Sequence, residues 1–503
     1  MNLVTTQEML EIDARAQHEF LIPGLLLMEQ AGVKGFHAAV DNLSIQEDQS
    51  VLFIVGSGNN GGDALVMARE ASMMGYSDIK VLCLKKEQQE VATLHLNICK
   101  KLDLPIYYID SDDWQSLITE ADLVFDGMVG TGLKGALRQC PMKELIEFVN
   151  CCTDATRVAI DLPSGLTDLN DGDAIVFNAD LTISFGPAKL CCYLPLTRMR
   201  CGEIIQINPG FPDALISQYG SSRCLIEMNS LSLKHVEPTS YKNKKGHLVV
   251  FAGSVGYTGA AALCSEAALR TGAGLVTLFC DSEVYPILAS SLRSVIVRPL
   301  VESTYISAIE LRSSYDAILT GPGWGEGSRR ETQMIEILGS GLPLILDADG
   351  IKVYSRIKET LQELRQPKEF ILTPHPGEFR VLYNESDHGS LQQFVELLQG
   401  EAVKHEAVIL YKSFINYLVD PHGGLSIMEG LNPELGTAGS GDVLAGIIAG
   451  LLTLKENAKS ATVIGNCIHQ LAGRSCRAEM GTFIAEDLLQ FIGTTRKELE
   501  KDG

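Results

Sequence analysis

Short apolar runs alternate with helical patterns along almost the whole chain. In the first half, runs of strand length bounded by Gly, Pro or Asp occur at 51–55, 79–84, 123–126, 158–161 and 181–185. The second half repeats the rhythm at 247–251, 276–279, 317–320, 344–346, 370–372 and 408–410. Strands that alternate with helices predict βαβ units and a largely parallel sheet in each half.

A break in this pattern separates the two halves. The first alternation ends at residues 208–212, which contain two prolines and a glycine, and a polar stretch follows at 218–223. A chain of 503 residues is also too long to form one hydrophobic core. We therefore predict two α/β domains, at residues 1–217 and 224–503. Thr5 and Glu8 have the spacing of a capping box, which predicts a helix start there.

The junction after the apolar run 51–55 is the most informative feature. Residues 56–63 read Gly-Ser-Gly-Asn-Asn-Gly-Gly-Asp, and a helical pattern follows at 64–74. Glycines at a strand-to-helix turn let the backbone approach a ligand, and a helix start offers N–H groups to an anion. The G-x-G-x-x-G spacing is typical of dinucleotide folds, but Lys85 and Lys86 stand where an acidic residue would bind the ribose. The pattern predicts a nucleotide site that differs from that of an ordinary dehydrogenase.

Two further polar loops follow predicted strands of the first half. Asp126 precedes a glycine-rich stretch that extends to residue 135, and Asp161 begins the segment Asp-Leu-Pro-Ser-Gly. Any one of these loops is equally well explained as a turn. Three at successive strand ends favour a shared site, because ligands of open α/β sheets bind at the carboxyl ends of the strands. Asn60, Asp126 and Ser164 would supply the hard oxygen ligands of an alkali or alkaline-earth cation.

The second half has its own glycine loop. Residues 436–442 read Gly-Thr-Ala-Gly-Ser-Gly-Asp and precede an apolar helical pattern at 443–452. N–H groups at the helix start would stabilise phosphate oxygens, and Asp442 would act as a base at their edge. Helix packing would explain the small residues equally well, but it gives no reason for the charge of Asp442. Taken alone, the loop suggests a small-molecule kinase.

Composition narrows the class of protein. Apolar residues make up 46% of the chain and charged residues 21%, as in a globular protein, and the formal charge of −22 argues against nucleic-acid or membrane-surface binding. The 13 cysteines contain no C-x-x-C pair and the 10 histidines show no zinc-ligand spacing. The first residues show no signal-peptide pattern, and the apolar helix at 443–452 is too short to cross a bilayer. We expect a homo-oligomer in a reducing cytoplasm, without nucleic-acid or membrane partners.

The motifs of the first half together resemble the NAD(P)H-hydrate epimerase family over about residues 1–215. The segments that carry the resemblance are 24–32, 59–63, 130–132 and 161–165. It implies a Rossmann-like three-layer sandwich that binds hydrated NADH and NADPH with a potassium ion held by Asn60, Asp126 and Ser164. It also implies that Asp161 transfers a proton. The implied substrate contacts are Asn59, Asn60, Gly61, Gly62, Asp63, Gly130, Thr131, Gly132, Leu133, Lys134, Gly135, Ala136 and Asp161.

The motifs of the second half resemble the ADP/ATP-dependent NAD(P)H-hydrate dehydratase family over about residues 226–495. The segments are 245–246, 252–254, 256–261, 321–323, 347–349 and 373–378. The resemblance implies a ribokinase-like α/β domain that uses magnesium with ADP or ATP and has Asp442 as catalytic base. The implied hydrate contacts are Ala260, Gly323, His375 and Asp442, and the implied nucleotide contacts are Lys412, Ser413, Phe414, Ile415, Asn416 and Gly441. Phe414 and Glu434 depart from the family pattern and would add bulk and negative charge near the phosphates.

Both halves therefore resemble enzymes that act on the same damaged cofactor, and the sequence predicts a bifunctional NAD(P)H-hydrate repair enzyme. Three alternatives stay open at this point. One is a vitamin or sugar kinase fused to a Rossmann-like module, and another is an oxidoreductase, which Lys85 and Lys86 disfavour. The third is an interaction scaffold, which would not be expected to keep the polar residues of the ion site.

Overall fold

The structure, a computed structural model, describes residues 1–500 except 111, 134, 136, 138–140, 153, 171–173, 234, 236, 238, 302–305, 361–366 and 384–390. The described residues form two compact units, one made mainly of Met1–Leu225 and the other mainly of the chain from Ile226 onwards. Both units are α/β and both contain a largely parallel sheet, so the predicted fold class is confirmed.

Strands and helices alternate through most of the first unit. Its strands are β1 (Leu3–Val4), β2 (Ser50–Val55), β3 (Asp78–Cys83), β4 (Ile106–Tyr108), β5 (Leu123–Gly127), β6 (Thr156–Ile160), β7 (Leu181–Phe185), β8 (Ala188–Lys189), β9 (Glu203–Ile207) and β10 (Arg223–Leu225). Its helices are α1 (Thr6–His18), α2 (Gly24–Leu43), α3 (Asn59–Met73), α4 (Glu90–Lys101), α5 (Trp114–Thr119), α6 (Met142–Cys151) and α7 (Asp213–Ile216).

The main sheet of this unit is parallel throughout, with the strand order β4-β3-β2-β5-β6-β7-β9. The order reverses between β2 and β5, because the chain moves outward from β2 in one direction to β3 and β4 and then returns to β5. The carboxyl ends of strands at such a reversal form the usual binding crevice of an open α/β sheet. The loops predicted to carry the first site follow β2, β5 and β6, and they therefore lie at this crevice.

Alternate residues of the strands face two separate cores, as expected for a sheet covered on both sides. Val51, Phe53 and Val55 of β2 pack with residues of α2, α3 and α4, whereas Leu52 and Ile54 pack with residues of α5 and α6. The result is a three-layer sandwich in which both faces of the sheet are buried.

Helix α3 begins at Asn59, five residues before the predicted start at 64, so the polar cluster 59–63 is the first turn of the helix and not a loop. Close backbone packing explains the glycines before the helix and in its first turn. A Cβ atom at Gly61 would lie 2.0 Å from the carbonyl oxygen of Gly56, and one at Gly56 would lie 1.8 Å from that of Met128. The predicted capping box of α1 is confirmed, since Glu8 N donates to Thr5 Oγ1 and Thr5 N to the Glu8 carboxylate.

The chain from Ile226 onwards repeats the alternation. Its strands are β11 (His247–Phe251), β12 (Leu275–Asp281), β13 (Ile296–Leu300), β14 (Ala317–Thr320), β15 (Leu344–Leu346), β16 (Phe370–Leu372), β17 (Val408–Tyr411), β18 (Ile415–Val419) and β19 (Leu425–Glu429). Its helices are α8 (Thr258–Thr271), α9 (Tyr285–Ser291), α10 (Ala308–Ser314), α11 (Ser328–Gly339), α12 (Asp349–Ile357), α13 (Pro376–Tyr383), α14 (Leu391–Lys404), α15 (Ser440–Thr453), α16 (Ala458–Met480) and α17 (Ala485–Leu499).

The sheet of the second unit has the strand order β19-β18-β17-β16-β15-β14-β11-β12-β13. Its strands are parallel except for β18 and β19, which pair in antiparallel fashion after β17. The apolar helix α15 packs closely on α8, where a Cβ at Gly446 would lie 2.2 Å from Cys264 O. Among the described residues, no helix combines the length and the apolar character needed to cross a membrane.

The polar stretch 218–223, which was expected to separate the two domains, contains residues that are hydrogen-bonded to the start of the chain. Asn2 Nδ2 donates to the carbonyl of Tyr219 at 2.9 Å, and the Arg223 guanidinium contacts Leu3 O and the Glu8 carboxylate. The amino terminus also donates to Leu225 O at 3.0 Å. Residues up to Leu225 therefore contribute to the packing of the first unit.

Candidate active sites

A cavity of about 500 Å³ opens at the crevice of the first unit. It lies where the loops after β2, β5 and β6 meet, and helices α1 and α2 also line it. Its described polar and charged lining residues include Asp13, Gln17, Ser57, Asn59, Asn60, Asp63, Lys85, Gln89, Thr131 and Asp161. A cavity of this volume is in the range of ordinary small-molecule sites.

Asp161 follows β6 directly and is held by several donors. Lys189 Nζ lies 2.8 Å from Asp161 Oδ1, and the N–H and hydroxyl of Thr131 both donate to Oδ2. Burial raises the pKa of Asp161, but the Lys189 charge and these hydrogen bonds outweigh it and hold the pKa below its usual value. Asp161 is therefore an ionised carboxylate at neutral pH. Its backbone lies in the left-handed region, with φ +68°.

Two other carboxyl groups of the cavity have pKa values that are raised and not lowered. Burial, with the charges of Asp161 and Asp13, raises the pKa of Asp63 well above its usual value. Burial and the charge of Asp161 also raise the pKa of Asp13, although a hydrogen bond from Gln17 opposes the shift. Groups whose environments push their pKa values apart are suited to act as acid and base in one site.

The three residues predicted to hold a cation are all buried: Asn60 in the first turn of α3, Asp126 near the end of β5 and Ser164 in the loop after β6. Ser164 donates from its N–H at 2.7 Å and from its hydroxyl at 2.6 Å to the Asp126 carboxylate, and Met128 N donates to it at 3.1 Å. Burial raises the pKa of Asp126 to about 6, against these hydrogen bonds. Asn60 is buried, and neither its amide nitrogen nor its amide oxygen has a hydrogen-bond partner.

An orphaned amide, a buried hydroxyl and a buried carboxylate together fit a large cation of single charge better than zinc, which prefers nitrogen and sulfur. Among the residues that the structure describes, no group of three or more His, Cys, Asp and Glu side chains is suited to a metal ion. The candidate set differs from such a group because Asn60 supplies an amide and Ser164 a hydroxyl.

Asn60 and Asp161 converge on Gly130. A Cβ atom at Gly130 would lie 2.5 Å from Asp161 Oδ2 and 3.2 Å from Asn60 Oδ1, so no larger residue fits without displacing them. Of the other predicted substrate contacts, Asn59, Asp63, Thr131 and Gly132 line the cavity. Gly61 and Gly62 lie in the first turn of α3, Leu133 N donates to Gly130 O, and Gly135 has φ +77°. Lys134 and Ala136 lie outside the described residues.

In the second unit, Asp442 is the third residue of α15. The helix follows Gly439, whose φ of +90° favours glycine, and a Cβ at Gly441 would lie 3.5 Å from Lys412 Nζ. Burial raises the pKa of Asp442 to about 7; the Asp347 and Glu378 charges add to this shift, and Lys412 opposes it. A carboxyl group with a pKa near neutrality is suited to general-base catalysis at neutral pH.

Lys412 interacts electrostatically with Asp442 and with two other carboxyl groups, Asp347 after β15 and Glu378 in α13. Its Nζ lies 2.6 Å from Asp347 Oδ1, which also accepts from the Thr373 hydroxyl at 2.8 Å. Glu378 is buried beside it, and burial raises the pKa of Glu378 against the opposing Lys412 charge. His375 N donates to Glu378 at 2.9 Å, whereas the His375 side chain is exposed.

The remaining predicted hydrate contacts lie together. Gly323 has φ +55°, and a Cβ there would lie 2.6 Å from Tyr257 Cβ and 3.4 Å from Ala260 Cβ. Its carbonyl accepts from Ser254 Oγ at 3.0 Å. Gly323 therefore allows the loop after β14 to pack against the start of α8, where Ala260 lies.

The predicted nucleotide stretch 412–416 comprises the three-residue connection between β17 and β18 and the first two residues of β18. Ser413 N donates to Asn416 Oδ1 at 3.2 Å, and Ile415 and Asn416 are buried. Phe414 is 41% exposed, so its bulk is available to a ligand. Glu434, expected to add negative charge near the phosphates, is paired with Arg477, which offsets that charge.

Comparisons with known proteins assign each half of the chain to a family. Residues 24–191 match the family described as YjeF-related protein N-terminus, and residues 248–493 match the family described as NAD(P)H-hydrate dehydratase. The chain is 30% identical to a bifunctional NAD(P)H-hydrate repair enzyme of Moorella thermoacetica, over 100% of this chain and 98% of that protein. It is 31% identical to one of Archaeoglobus fulgidus, over 98% of each. The chain belongs to the family of bifunctional NAD(P)H-hydrate repair enzymes.

Among solved structures, the ADP/ATP-dependent NAD(P)H-hydrate dehydratase of Bacillus subtilis, co-crystallised with ATP and magnesium, is 25% identical over 54% of this chain and 96% of that chain, with a TM-score of 0.46. Membership of the repair-enzyme family disfavours the kinase fusion, the oxidoreductase and the scaffold as alternatives.

Sequence reasoning about this family member missed several residues that the fold brings to the sites. Lys189 is 28 positions from Asp161 in the chain and belongs to a short strand that no apolar run marks. Asp13 lies on a surface helix, where a carboxylate is ordinary. Asp347 and Glu378 lie in two of the segments that carry the family resemblance, 347–349 and 373–378. A carboxylate directly after a predicted strand was the signal that could have found Asp347.

Proposed function

We propose that this chain restores NAD(P)H from its hydrate in two steps. The first unit interconverts the R and S hydrates, and the second dehydrates the S hydrate with ADP or ATP. The observation that supports the proposal is that the pKa values of two carboxyl groups, one in each unit, are shifted in opposite directions. Asp161 is kept ionised by Lys189 in the first cavity, and Asp442 has a pKa of about 7 beside Lys412 in the second unit. Each thus has the protonation behaviour that its assigned step requires.

Hydration places a hydroxyl group on the ring carbon next to the nicotinamide nitrogen. In the second unit, Asp442 accepts the proton of that hydroxyl as its oxygen attacks the terminal phosphorus of the nucleotide. The amides of residues 439–441 stabilise charge on the transferred phosphoryl group. Phosphate then leaves together with a neighbouring ring proton, and the ring double bond forms again. Lys412, 3.5 Å from the Cβ position of Gly441, lies within reach of the same phosphates.

Magnesium bound with the nucleotide would neutralise charge on the phosphoryl oxygens. Glu378, a buried carboxyl group beside Lys412, would suit it, since Mg²⁺ usually takes one or two carboxylates together with phosphates and water. In the first unit, a potassium ion held by Asn60, Asp126 and Ser164 would offset the carboxylates that oppose binding of a pyrophosphate. The unpartnered amide of Asn60 supports this assignment.

The cysteines that the structure describes are free thiols, which suits the reducing cytoplasm proposed for this enzyme. The homo-oligomer expected from the sequence stays a prediction, and light scattering of the purified protein tests it.

The decisive experiment incubates the purified protein with mixed hydrate epimers and either ADP or ATP. Full conversion of both epimers to NAD(P)H, followed by the absorbance of the reduced nicotinamide, is the expected result. Conversion of the S epimer alone would contradict the function of the first unit. A stable phosphorylated product without NAD(P)H would instead support the kinase alternative.

A further inference from the structure

The N-terminal helix α1 forms part of the wall of the first cavity. Met9, Leu10, Asp13 and Gln17 line it, and among its described lining residues the carboxyl groups are those of Asp13, Asp63 and Asp161. These three groups come from different elements: Asp13 from α1, Asp63 from the start of α3, and Asp161 from the end of β6. A substrate in the cavity would therefore be surrounded by carboxyl groups from separate parts of the cavity wall.

Helix α1 is fixed in this position by contacts at its first residue and along its apolar face. The N–H and hydroxyl of Thr6 each donate to Asp168 Oδ2 at 2.6 Å, which ties the helix start to the loop after β6. Ile12 and Ala16 are fully buried in an apolar cluster with Phe211 and other residues. Asp13 is thus held at the cavity by a rigid element, and its Oδ2 accepts from Gln17 Nε2 at 3.0 Å.

The electrostatic environment of Asp13 differs from that of Asp161. Burial and the Asp161 charge raise the pKa of Asp13, whereas Lys189 keeps Asp161 ionised. Asp63 and Lys85 also line the cavity, and the pKa of Asp63 is raised by burial and by the charges of Asp161 and Asp13. Asp13 therefore retains its proton to a higher pH than Asp161 does.

The chemistry of epimerisation needs two such groups. A hydroxyl on a carbon bonded to nitrogen leaves as water once it is protonated, and water then returns to the other face of the ring. We propose that Asp13 is a second proton-transfer residue of the first unit, acting with Asp161. This inference rests on the function proposed above.

In this step, Asp13 donates its proton to the hydroxyl oxygen. The carbon–oxygen bond breaks, the nitrogen lone pair forms a carbon–nitrogen double bond, and a water molecule is released. A water molecule then adds to the same carbon from the opposite face and gives a proton to Asp161. Exchange with solvent returns both carboxyl groups to their starting protonation, and the opposite epimer reacts through the reverse sequence.

Asp13→Asn tests the proposal, because asparagine keeps the shape and can still accept the Gln17 hydrogen bond. We expect kcat for epimerisation to fall by at least about 100-fold, the usual lower bound for loss of a general acid, while dehydration of the S hydrate is unchanged. Glu11→Gln, on the exposed face of the same helix, is the matched control and should epimerise normally. Asp13→Glu keeps the acid and should recover part of the lost rate.

The pH profile separates proton transfer from a purely structural role. Because Asp13 acts as an acid, the rate of the wild-type enzyme falls as the pH rises through its pKa, and Asp13→Asn loses this alkaline limb. A change in KM with kcat unaltered, or an alkaline limb that persists in Asp13→Asn, would overturn the inference. If the wild-type protein does not interconvert the epimers, the proposed function fails; if it does and Asp13→Asn matches it, only this inference fails.

Discussion

Lys189 Nζ lies 2.8 Å from Asp161 Oδ1, and the lysine side chain is completely shielded from solvent. The same ammonium donates to Ser184 Oγ at 3.0 Å and to Phe185 O at 2.7 Å, so its hydrogen-bonding capacity is satisfied inside the protein. A buried charge is tolerated only when it is paired and hydrogen-bonded. Lys189 therefore has two consequences: it stabilises the ionised form of Asp161, and it makes the fold of the first unit depend on the pair.

Replacing Lys189 by Met should reduce both stability and epimerisation. Loss of one partner from a buried ion pair leaves an uncompensated charge and costs about 3–5 kcal/mol of unfolding free energy. Without the lysine, the pKa of Asp161 also rises, and a larger fraction of the carboxyl group is protonated and cannot act as a base. Urea unfolding and an epimer-ratio assay measure the two effects, with Lys34→Met on the exposed surface as control. An unchanged unfolding free energy would contradict the assigned role of the pair.

The lowered pKa of Asp161 also predicts how this contribution varies with pH. A carboxyl group whose pKa is lower in the folded state stabilises the fold fully above its unfolded pKa, ordinarily about 3.9 for Asp. That contribution is lost as the pH falls from there through the folded-state pKa. The wild-type protein should therefore lose stability in this acid range more steeply than Lys189→Met. Parallel acid-unfolding curves for the two proteins would count against the prediction.

Asp442→Asn should abolish dehydration and leave epimerisation intact. Loss of a general base typically costs about 10²–10⁴-fold in rate. Conversion of pure S hydrate to NAD(P)H measures the first activity, and the epimer ratio measures the second. Glu479→Gln, on the exposed end of α16, serves as the control. Dehydration at the wild-type rate in Asp442→Asn would exclude it as the base.

The pH dependence of dehydration should follow Asp442. As a base it must be ionised, so kcat/KM is expected to increase as the pH rises through about 7. Lys412 lowers the pKa of Asp442, and Lys412→Met should therefore move this limb to higher pH while also raising KM for the nucleotide. If kcat/KM for dehydration rises at the same pH in both proteins, another group controls the rate.

Asn60→Ala should weaken the dependence of epimerisation on potassium and leave dehydration unchanged. The Asn60 amide has no protein partner, so its removal costs the fold no hydrogen bond, unlike removal of Asp126, which accepts from Ser164 and Met128. Activity titrated against KCl at constant ionic strength measures the effect. Equal potassium response in wild type and variant would remove Asn60 from the ion site, as would a crystal structure at high potassium with only water beside it.

The two activities should be separable at the boundary between Leu225 and Ile226. A fragment 1–225 keeps the hydrogen bonds that join residues 1–8 to residues 219–225, each typically contributing about 0.5–1.5 kcal/mol, whereas a fragment 1–217 loses them. We expect 1–225 to epimerise and to unfold at a higher temperature than 1–217. The fragment 226–503 should dehydrate only the S hydrate. Equal melting temperatures for the two N-terminal fragments would show that residues 218–225 add nothing.

The sequence by itself determined the α/β class, most strands and the loops that carry the chemistry. Buried parallel strands are continuous apolar runs, and the turns after them need glycine, so both leave a local signal in the chain. Several predicted runs coincide with observed strands, among them β7, β11 and β14. Strands β9 and β13 are only partly buried and escaped notice because Gln206 and Arg298 interrupt their short apolar runs.

The tertiary structure alone decided which charges meet. Asp13 and Asp161 are far apart in sequence, as are Lys412 and Asp347, and nothing local to any of them indicates its partner. Their pKa values depend on burial and on the distance to other charges, both of which exist only after the sheet order has brought the strand ends together. Candidate residues of the two sites could thus be named from the chain, although Asp13 and Lys189 could not. The protonation of all of them, and with it the division into acid and base, follows from the fold.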